Sequence, residues 1–174
     1  MLILGIDPGT ATVGFGFLQL SQGQPPSSPQ FGTIQTDRHL SAPERLAITY
    51  ADMVSLLSAR RPDVLAVEEL FFLKNVNTAM PVAQARGVIL LAAAHAGLPV
   101  VGYSPAQVKM TVTGSGKALK PDVQEAVRDL LGLATIPRPD DAADALAIAL
   151  THARVLEGRG ELVLTPAPVA RVSA

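Results

Sequence analysis

The sequence predicts an α/β fold in which helices flank a mixed five-stranded sheet. Three short apolar stretches separated by turns come first, an order that is typical of an antiparallel meander. Helical and strand-like patterns then alternate, which is typical of parallel strands joined by crossover helices. The chain has 174 residues, of which 48% are apolar and 17% are charged. This length and composition predict one globular domain with a substantial core.

Five strands are predicted, over residues 2–6, 12–20, 31–36, 64–68 and 98–102. The first is an apolar run, as in a buried strand, and the second alternates loosely between apolar and other residues. The segment Asp7-Pro-Gly-Thr10 between them has the composition of a tight turn. Residues 21–30 include three prolines and are predicted to form a loop.

Five helices are predicted, from a cap at 41 to about 59, from about 77 to 96, from a cap at 104 to about 112, over 121–131 and over 140–157. Ser41-Ala-Pro-Glu44 matches a capping box with proline in the first turn, and Gly97 suits the end of a helix. Residues 161–174 contain two prolines and no periodic pattern. We therefore expect a domain over 1–158 and a flexible C-terminal tail over 159–174.

The composition argues against several classes of protein. There are no cysteines, which excludes disulfides and thiolate metal sites and suits a reducing cytoplasm. The longest apolar stretch, residues 88–94, is too short to span a bilayer, so no membrane association is expected. No basic segment precedes the first apolar run, so we expect no signal peptide. These features predict a cytoplasmic protein.

The charge is distributed unevenly along the chain. Its net value is only −1, but residues 70–121 contain no Asp or Glu. The basic residues of this segment are Lys74, Arg86, Lys109, Lys117 and Lys120. A basic segment in an otherwise acidic chain favours an anionic partner such as nucleic acid. The alternative is that this weakly charged segment lacks acidic residues by chance.

Four carboxylates occur where a globular protein normally places apolar side chains. Asp7 and Glu68 each end an apolar run, and Asp141 and Asp144 lie three residues apart in an Ala/Leu/Ile-rich helical segment. Burying several carboxylates close together is costly unless they are protonated, paired or bound to a cation. The alternative for Asp141 is a helix N-terminal charge, a role that Asp140 fits equally well.

A divalent metal site explains all four carboxylates together. Residues three apart share one face of a helix, and the many alanines around them would let the helix approach a sheet closely. The C-terminal ends of strands are the usual ligand sites of α/β sheets. Hard oxygen ligands favour Mg²⁺ or Mn²⁺, and two such ions about 4 Å apart can activate water and stabilise the leaving oxygen of a phosphodiester.

A set of motifs in fixed order then indicates a family. They are Gly5-Ile-Asp-Pro-Gly-Thr10, Val67-Glu68 followed by Phe71-Phe-Leu-Lys-Asn75, Gln84-Ala-Arg-Gly87, Gln107-Val-Lys109, and Asp141-Ala-Ala-Asp-Ala-Leu-Ala147 with Thr151-His152. Together they resemble the RuvC family of bacterial Holliday-junction resolvases, over nearly the whole chain to about Arg154. The first motif alone also resembles the phosphate-binding turn of actin-like ATPases and sugar kinases, but those proteins need two such lobes and about twice this length.

The resemblance implies an RNase H-like fold, a homodimer, and nicking of two opposed strands of a four-way DNA junction that depends on Mg²⁺ or Mn²⁺. It implies that the four carboxylates are the catalytic metal ligands. Lys109 and Lys120 match the family's basic residues near the scissile phosphate, and Phe71 matches the aromatic close to the junction crossover. Branch-migration motor proteins, RuvA and RuvB, are the partners that the family implies.

Further DNA contacts are predicted in the basic segment. Phe71 or Phe72 could stack on an unpaired base, where stacking contributes about 1–3 kcal/mol, although at least one of the two is expected in the core. Lysines on the glycine-rich loop around Lys117 could contact phosphates, or remain solvated. The DNA-binding candidates are Phe71, Phe72, Lys74, Asn75, Arg86, Lys109, Lys117 and Lys120.

The helix predicted near 77–96 is apolar on most sides, which favours burial at a subunit interface or against its own sheet. A two-fold dimer suits a four-way junction, because the junction offers two equivalent phosphates. Two other functions stay open. One is a YqgF-like nuclease acting on RNA, and the other is a protein that recognises junction shape without cutting. His39, His95 and His152 have no ligand spacing and are expected to be structural or solvated.

Overall fold

The computed structural model describes residues 1–28, 30–70 and 76–158, and from 76 to 78 it describes the backbone alone. Within these ranges the strands are β1 (Leu2–Asp7), β2 (Thr12–Gln19), β3 (Phe31–Gln35), β4 (Val64–Glu68) and β5 (Val100–Tyr103). The helices are α1 (Ala42–Arg60), α2 (Val76–His95), α3 (Pro105–Thr113), α4 (Lys120–Leu130) and α5 (Asp140–Gly158). Every predicted element is confirmed, with its ends at or within two residues of the predicted ones. The predicted tail, 159–174, lies outside the described ranges.

The strands form one mixed sheet in the order β3-β2-β1-β4-β5. β1 pairs antiparallel with β2, and β2 pairs antiparallel with β3, which confirms the predicted meander. β4 joins β1 in parallel after helix α1, and β5 joins β4 in parallel after helix α2. The two strands that end in predicted site carboxylates, β1 and β4, are therefore neighbours in the centre of the sheet.

Alternate residues of the central strands face opposite layers of helices. Ile3 and Ala66 belong to the core cluster that includes buried residues of α3, α4 and α5. Leu4 belongs to the opposite cluster, with residues of α1 and α2. Because side chains alternate along a strand, Asp7 follows the face of Ile3, and Glu68 follows the face of Ala66. Both carboxylates therefore emerge on the side of the sheet that α5 covers.

Helix α5 lies directly on β1 and β2, at a distance that only small residues permit. A Cβ atom on Gly5 would come within 2.0 Å of the carbonyl oxygen of Ala145. A Cβ atom on Gly16 would come within 2.7 Å of the Leu146 side chain. The helix contributes a row of fully buried alanines to this contact. The expectation that an alanine-rich helix would approach the sheet closely is confirmed.

Helix α2 buries one face and exposes another. Ile89, Ala92 and Ala93 are buried in the cluster on the α1 side of the sheet, so packing within the domain accounts for part of the apolar character of α2. Met80 and Leu91 are 63% and 48% exposed on a different face, which the fold leaves uncovered. No helix in the described part of the chain, α2 included, is long and apolar enough to cross a membrane.

Candidate active site

The register of the two parallel strands places Asp7 beside Glu68. Ile6 of β1 pairs with Val67 of β4. The next residue of each strand is a carboxylate, and both leave the same edge of the sheet. The apolar residues that precede them are buried in the core clusters and hold the strand ends in place. Neighbouring strand ends of this kind form the usual ligand site of an open α/β sheet.

The N-terminal half of α5 brings further carboxylates to this edge. The helix begins at Asp140, so Asp141 and Asp144 lie in its first two turns. Their spacing of three residues puts them on one side of the helix. Since α5 lies against β1 and β2, this side of its first turns adjoins the end of β1.

Three of the four predicted carboxylates line one cavity, of about 240 Å³. Its polar lining consists of Asp7, Glu68, Asp144, Lys109 and Lys120. The remaining lining residues are Pro105, Val108, Val123, Ala147 and Ile148, from α3, α4 and α5. A water molecule takes up about 30 Å³ of liquid, so the space can hold hydrated ions or a phosphate group.

Asp141 stands apart from the cavity lining, but its charge reaches Asp7, where it contributes to raising the pKa of that carboxyl. No three acidic or histidine side chains in the described ranges are already close enough together to hold a metal ion. The carboxylates therefore surround a common space without forming a closed set of ligands.

Burial and mutual repulsion raise the pKa values of the two strand-end carboxyls. Burial raises the pKa of Asp7 to about 7, and the charges of Glu68, Asp144 and Asp141 act in the same direction. Burial and the charge of Asp144 raise the pKa of Glu68 to about 7, with Lys109 opposing them. The anionic form of each group is thus disfavoured by its surroundings, as expected of a site that a cation would stabilise.

Lys120 contacts one of the four predicted carboxylates directly. Its Nζ lies 2.9 Å from Asp144 Oδ2 and 3.8 Å from Asp140 Oδ2. Burial alone would lower the pKa of Lys120, but the hydrogen bond to Asp144 and the nearby acidic charges together raise it. The pKa of Asp144 is raised by burial, against the effect of Lys120. Lys120 therefore neutralises part of the cluster, whereas no basic side chain among the described residues forms an ion pair with Asp7 or Glu68.

The donor set fits a hard divalent cation. The acidic side chains that could bind a metal there offer carboxylate oxygens, and cysteine is absent from the chain. Burial is the main cause of the raised pKa values of Asp7 and Glu68, and the charges of neighbouring carboxylates add to it. Oxygen-rich, negatively charged sites select Mg²⁺ or Mn²⁺ over softer metals.

The DNA-binding candidates other than Arg86 fall into three groups. Lys109 and Lys120 line the carboxylate cavity. Lys117 is exposed on the loop between α3 and α4 and does not line it. Phe71, Phe72, Lys74 and Asn75 lie outside the described residues. Their predicted DNA contacts stay predictions.

Arg86 occupies a position that its charge alone did not suggest. It is half-buried on α2, and its Nε donates a hydrogen bond to the main-chain oxygen of Glu68 at 3.1 Å. This contact joins the helix to the end of β4 at a site carboxylate. Sequence reasoning identified Arg86 only as a basic residue near DNA, because nothing in a one-dimensional pattern shows which backbone carbonyl a guanidinium will reach.

His152 is buried, and its Nδ1 lies 2.6 Å from the hydroxyl oxygen of Tyr103. This contact between α5 and β5 agrees with the structural role expected for His152. His95 contacts the hydroxyl of Tyr50 at 2.7 Å, and His39 is exposed. None of the three histidines lines the carboxylate cavity.

Comparison with known proteins identifies one family. The family model described as "Crossover junction endodeoxyribonuclease RuvC" matches residues 3–152. The crossover junction endodeoxyribonuclease RuvC of Gloeobacter violaceus is 54% identical over 151 residues, covering 87% of each chain. That of Heliobacterium modesticaldum is 52% identical over 156 residues, covering 90% of this chain and 96% of the relative.

The likeness extends to a solved structure. Thermus thermophilus RuvC in complex with Holliday junction substrate matches with a TM-score of 0.84 and 40% identity, covering 91% of this chain and 96% of that one. This match and the observed sheet confirm the predicted RNase H-like fold.

Proposed function

This chain belongs to the RuvC family of crossover junction endodeoxyribonucleases, and we propose that it resolves four-way Holliday junctions by cutting two opposed strands at the carboxylate cavity. The observation that carries the proposal is the arrangement of Asp7, Glu68 and Asp144 around one space, with Lys109 and Lys120 in its wall. Recombination and DNA repair are the processes that produce such junctions. The enzyme would act in the cytoplasm, where bacterial DNA lies.

Metal dependence follows from the family, and we propose Mg²⁺ or Mn²⁺, with two ions per site. Asp7, Glu68, Asp141 and Asp144 would hold them. Bound there, the ions would supply an activated water and charge stabilisation at the leaving 3′ oxygen. Asp141 would complete the set from its position near Asp7.

Basic residues of the protein would bind the phosphate and position the site. Lys109 and Lys120 lie in the cavity wall, where an ammonium group can bind the scissile phosphate and offset the charge that develops during cleavage. Asp144 holds Lys120 by a contact of 2.9 Å, which fixes the ammonium group before DNA arrives. Arg86 holds the main chain at Glu68 by a hydrogen bond, so the Glu68 side chain extends into the cavity from a fixed backbone position.

A homodimer through α2 suits the two cuts. The exposed residues Met80, Gln84, Gly87, Leu91 and Ala94 repeat at intervals of four and three along this helix. Such spacing produces one continuous stripe, and Gly87 at its centre leaves open space that a second helix could enter. A two-fold contact along this stripe would present two cavities to the two equivalent phosphates of a junction.

Cleavage of synthetic substrates tests the proposed function. A four-way DNA junction, a linear duplex of the same sequence and a structured RNA would each be incubated with the protein in Mg²⁺, in Mn²⁺ and in EDTA. We expect paired nicks in the junction alone, and only with metal. Cleavage of the RNA instead would favour the YqgF-like alternative, and junction binding without cleavage in either metal would favour a recognition protein. Stimulation by RuvA and RuvB, the proposed partners, can be measured in the same assay.

A further inference from the structure

Helix α4 is preceded by a leucine at a position where short polar side chains are preferred. Leu119 is the N-cap residue, with extended backbone angles (φ −79°, ψ 163°) and no side-chain hydrogen bond to the helix. Asn, Asp or Ser would accept a hydrogen bond from a free amide of the first turn, which leucine cannot do. Only the reciprocal contact is present, in which Leu119 N donates to Asp122 Oδ2 at 2.8 Å.

Burial does not compensate for the missing cap. Leu119 is 68% exposed, more than any other large apolar residue in the described ranges. The preceding residue, Ala118, is buried in the core cluster on the α5 side of the sheet. The backbone is therefore anchored while the leucine side chain faces solvent. Neither capping nor packing within the described chain accounts for a leucine at this position.

The location of Leu119 suggests what its side chain meets. It directly precedes Lys120, which lines the carboxylate cavity and contacts Asp144 at 2.9 Å. Lys117, two residues earlier, is exposed. Along the chain, an exposed apolar side chain thus lies between two lysines, one of which lines the cavity. A nucleic-acid strand matches this pattern, because it alternates charged phosphates with the less polar faces of sugars and bases.

We propose that Leu119 packs against the sugar or base of the nucleotide beside the phosphate that is cut. Lys117 and Lys120 would bind phosphates of the same strand. The contact would orient the strand, so that the scissile phosphate enters the cavity in one register. This inference rests on the proposed function, since it takes the strand to be cleaved there.

The variant Leu119→Asn tests it, because asparagine is close to leucine in size, carries no charge and is a favourable N-cap. We expect kcat/KM for junction cleavage to fall roughly 5- to 10-fold, as for loss of one apolar nucleotide contact. The thermal unfolding midpoint should stay level or rise, since the variant gains a cap. Leu119→Met keeps an apolar side chain and should recover most of the kcat/KM that Leu119→Asn loses.

Met110→Gln is the matched control. Met110 is also an exposed apolar residue, but it lines a separate groove with Tyr103 and Thr151. We expect this variant to cleave normally. The inference would be overturned if Leu119→Asn kept the wild-type kcat/KM or had a lower unfolding midpoint. It would also be overturned if Leu119→Met or Met110→Gln lost as much kcat/KM as Leu119→Asn. The proposed function fails separately, if the wild-type protein does not cut the junction.

Discussion

Gly14 lies directly beneath the main chain of Asp141. A Cβ atom on Gly14 would come within 2.0 Å of the Asp141 carbonyl oxygen and within 2.5 Å of its carbonyl carbon. Gly14 is also the residue that pairs with Asp7 across β1 and β2. One glycine therefore determines how closely the first turn of α5 approaches the end of β1. The distance between the α5 carboxylates and Asp7 therefore depends on the lack of a side chain at Gly14.

Gly14→Ala should push the first turn of α5 away from the sheet, because the atoms it meets are backbone and cannot rotate aside. Overpacking of this kind costs about 1–3 kcal/mol, which lowers the unfolding midpoint of a chain of this length by about 2–12 °C. Cleavage should fall as well. Gly158→Ala, in the same helix with open space around its Cβ position, is the control and should change neither value. A Gly14→Ala protein with wild-type cleavage would contradict this account of the helix approach.

Asp7→Asn and Asp144→Asn should each reduce junction cleavage by at least about 100-fold, since each removes a charge proposed to hold metal. Junction binding in EDTA should remain close to wild type, because it depends on the basic residues. Single-turnover cleavage and gel-shift titration measure the two effects. Asp129→Asn is the control, since this exposed carboxylate at the end of α4 pairs with Arg128 and does not line the cavity. Cleavage at the normal rate by either site variant would reject the role of that residue.

The stability of the metal-free protein should fall as the pH rises from about 4 to about 7. Asp7 has a pKa of about 7 in the folded protein and about 3.8 when exposed, so in this window the native state holds more protons than the unfolded state. Its contribution to the free energy of unfolding therefore decreases as the pH rises towards 7. Above about pH 7 this contribution changes no further, because Asp7 is then ionised in both states. The stability of Asp7→Asn relative to wild type should increase through the same window and then level off.

Urea unfolding in EDTA at several pH values measures this difference, and repeating it in Mg²⁺ should reduce it, because a bound cation stabilises the wild-type carboxylate. A difference that does not vary with pH would show that Asp7 titrates normally in the folded state.

Arg86 should act as a positioning residue, since its Nε is committed to the main-chain oxygen of Glu68. Arg86→Ala should lower kcat by roughly 10-fold or more, as expected when a support of a site carboxylate is lost. Arg86→Lys keeps the charge but not the guanidinium geometry, so it should restore little of the kcat that Arg86→Ala loses. If Arg86 instead contacts DNA phosphate, Arg86→Lys would restore activity, and Arg86→Ala would reduce the salt dependence of junction binding.

Lys120→Ala should have opposite effects on metal binding and on cleavage. Removing the ammonium group leaves Asp144 without its contact at 2.9 Å, so Mn²⁺ should bind more tightly. Cleavage should slow and junction affinity should fall modestly, because a cation near the scissile phosphate is lost. Calorimetric titration with Mn²⁺ measures the first effect and cleavage kinetics the second. Lys117→Ala, which alters an exposed lysine outside the cavity lining, should leave the metal affinity unchanged.

The grouping of Asp7, Glu68 and Asp144 around one cavity was predictable because each of them interrupts an apolar pattern, whereas Asp141, predicted with them, does not line that cavity. Asp7 and Glu68 end buried strands, and a parallel pairing of those strands brings their ends together. The contacts of Arg86 with Glu68 and of Lys120 with Asp140 were not predictable, since they depend on how separate layers meet in three dimensions. Charge counting assigns every lysine and arginine to the same class, whatever acceptor each one reaches.

One element boundary shows a similar limit. The last strand was predicted to begin at residue 98, but it begins at Val100. The amide of Leu98 instead donates to the oxygen of Ala93, which completes the C-terminal turn of α2 around Gly97. An apolar run cannot show where the cap of one element ends and the next element starts.

The hydrogen bond between Arg86 and Glu68 has a consequence for the spacing of the two incisions. Arg86 is adjacent to Gly87, at the centre of the exposed stripe of α2. In a dimer formed along that stripe, this hydrogen bond would link the end of β4 in each active site to the helix at the subunit interface. The crossing angle of the paired helices would then determine the distance between the two cuts. The two-fold symmetry of the subunit interface would make the two cuts symmetric.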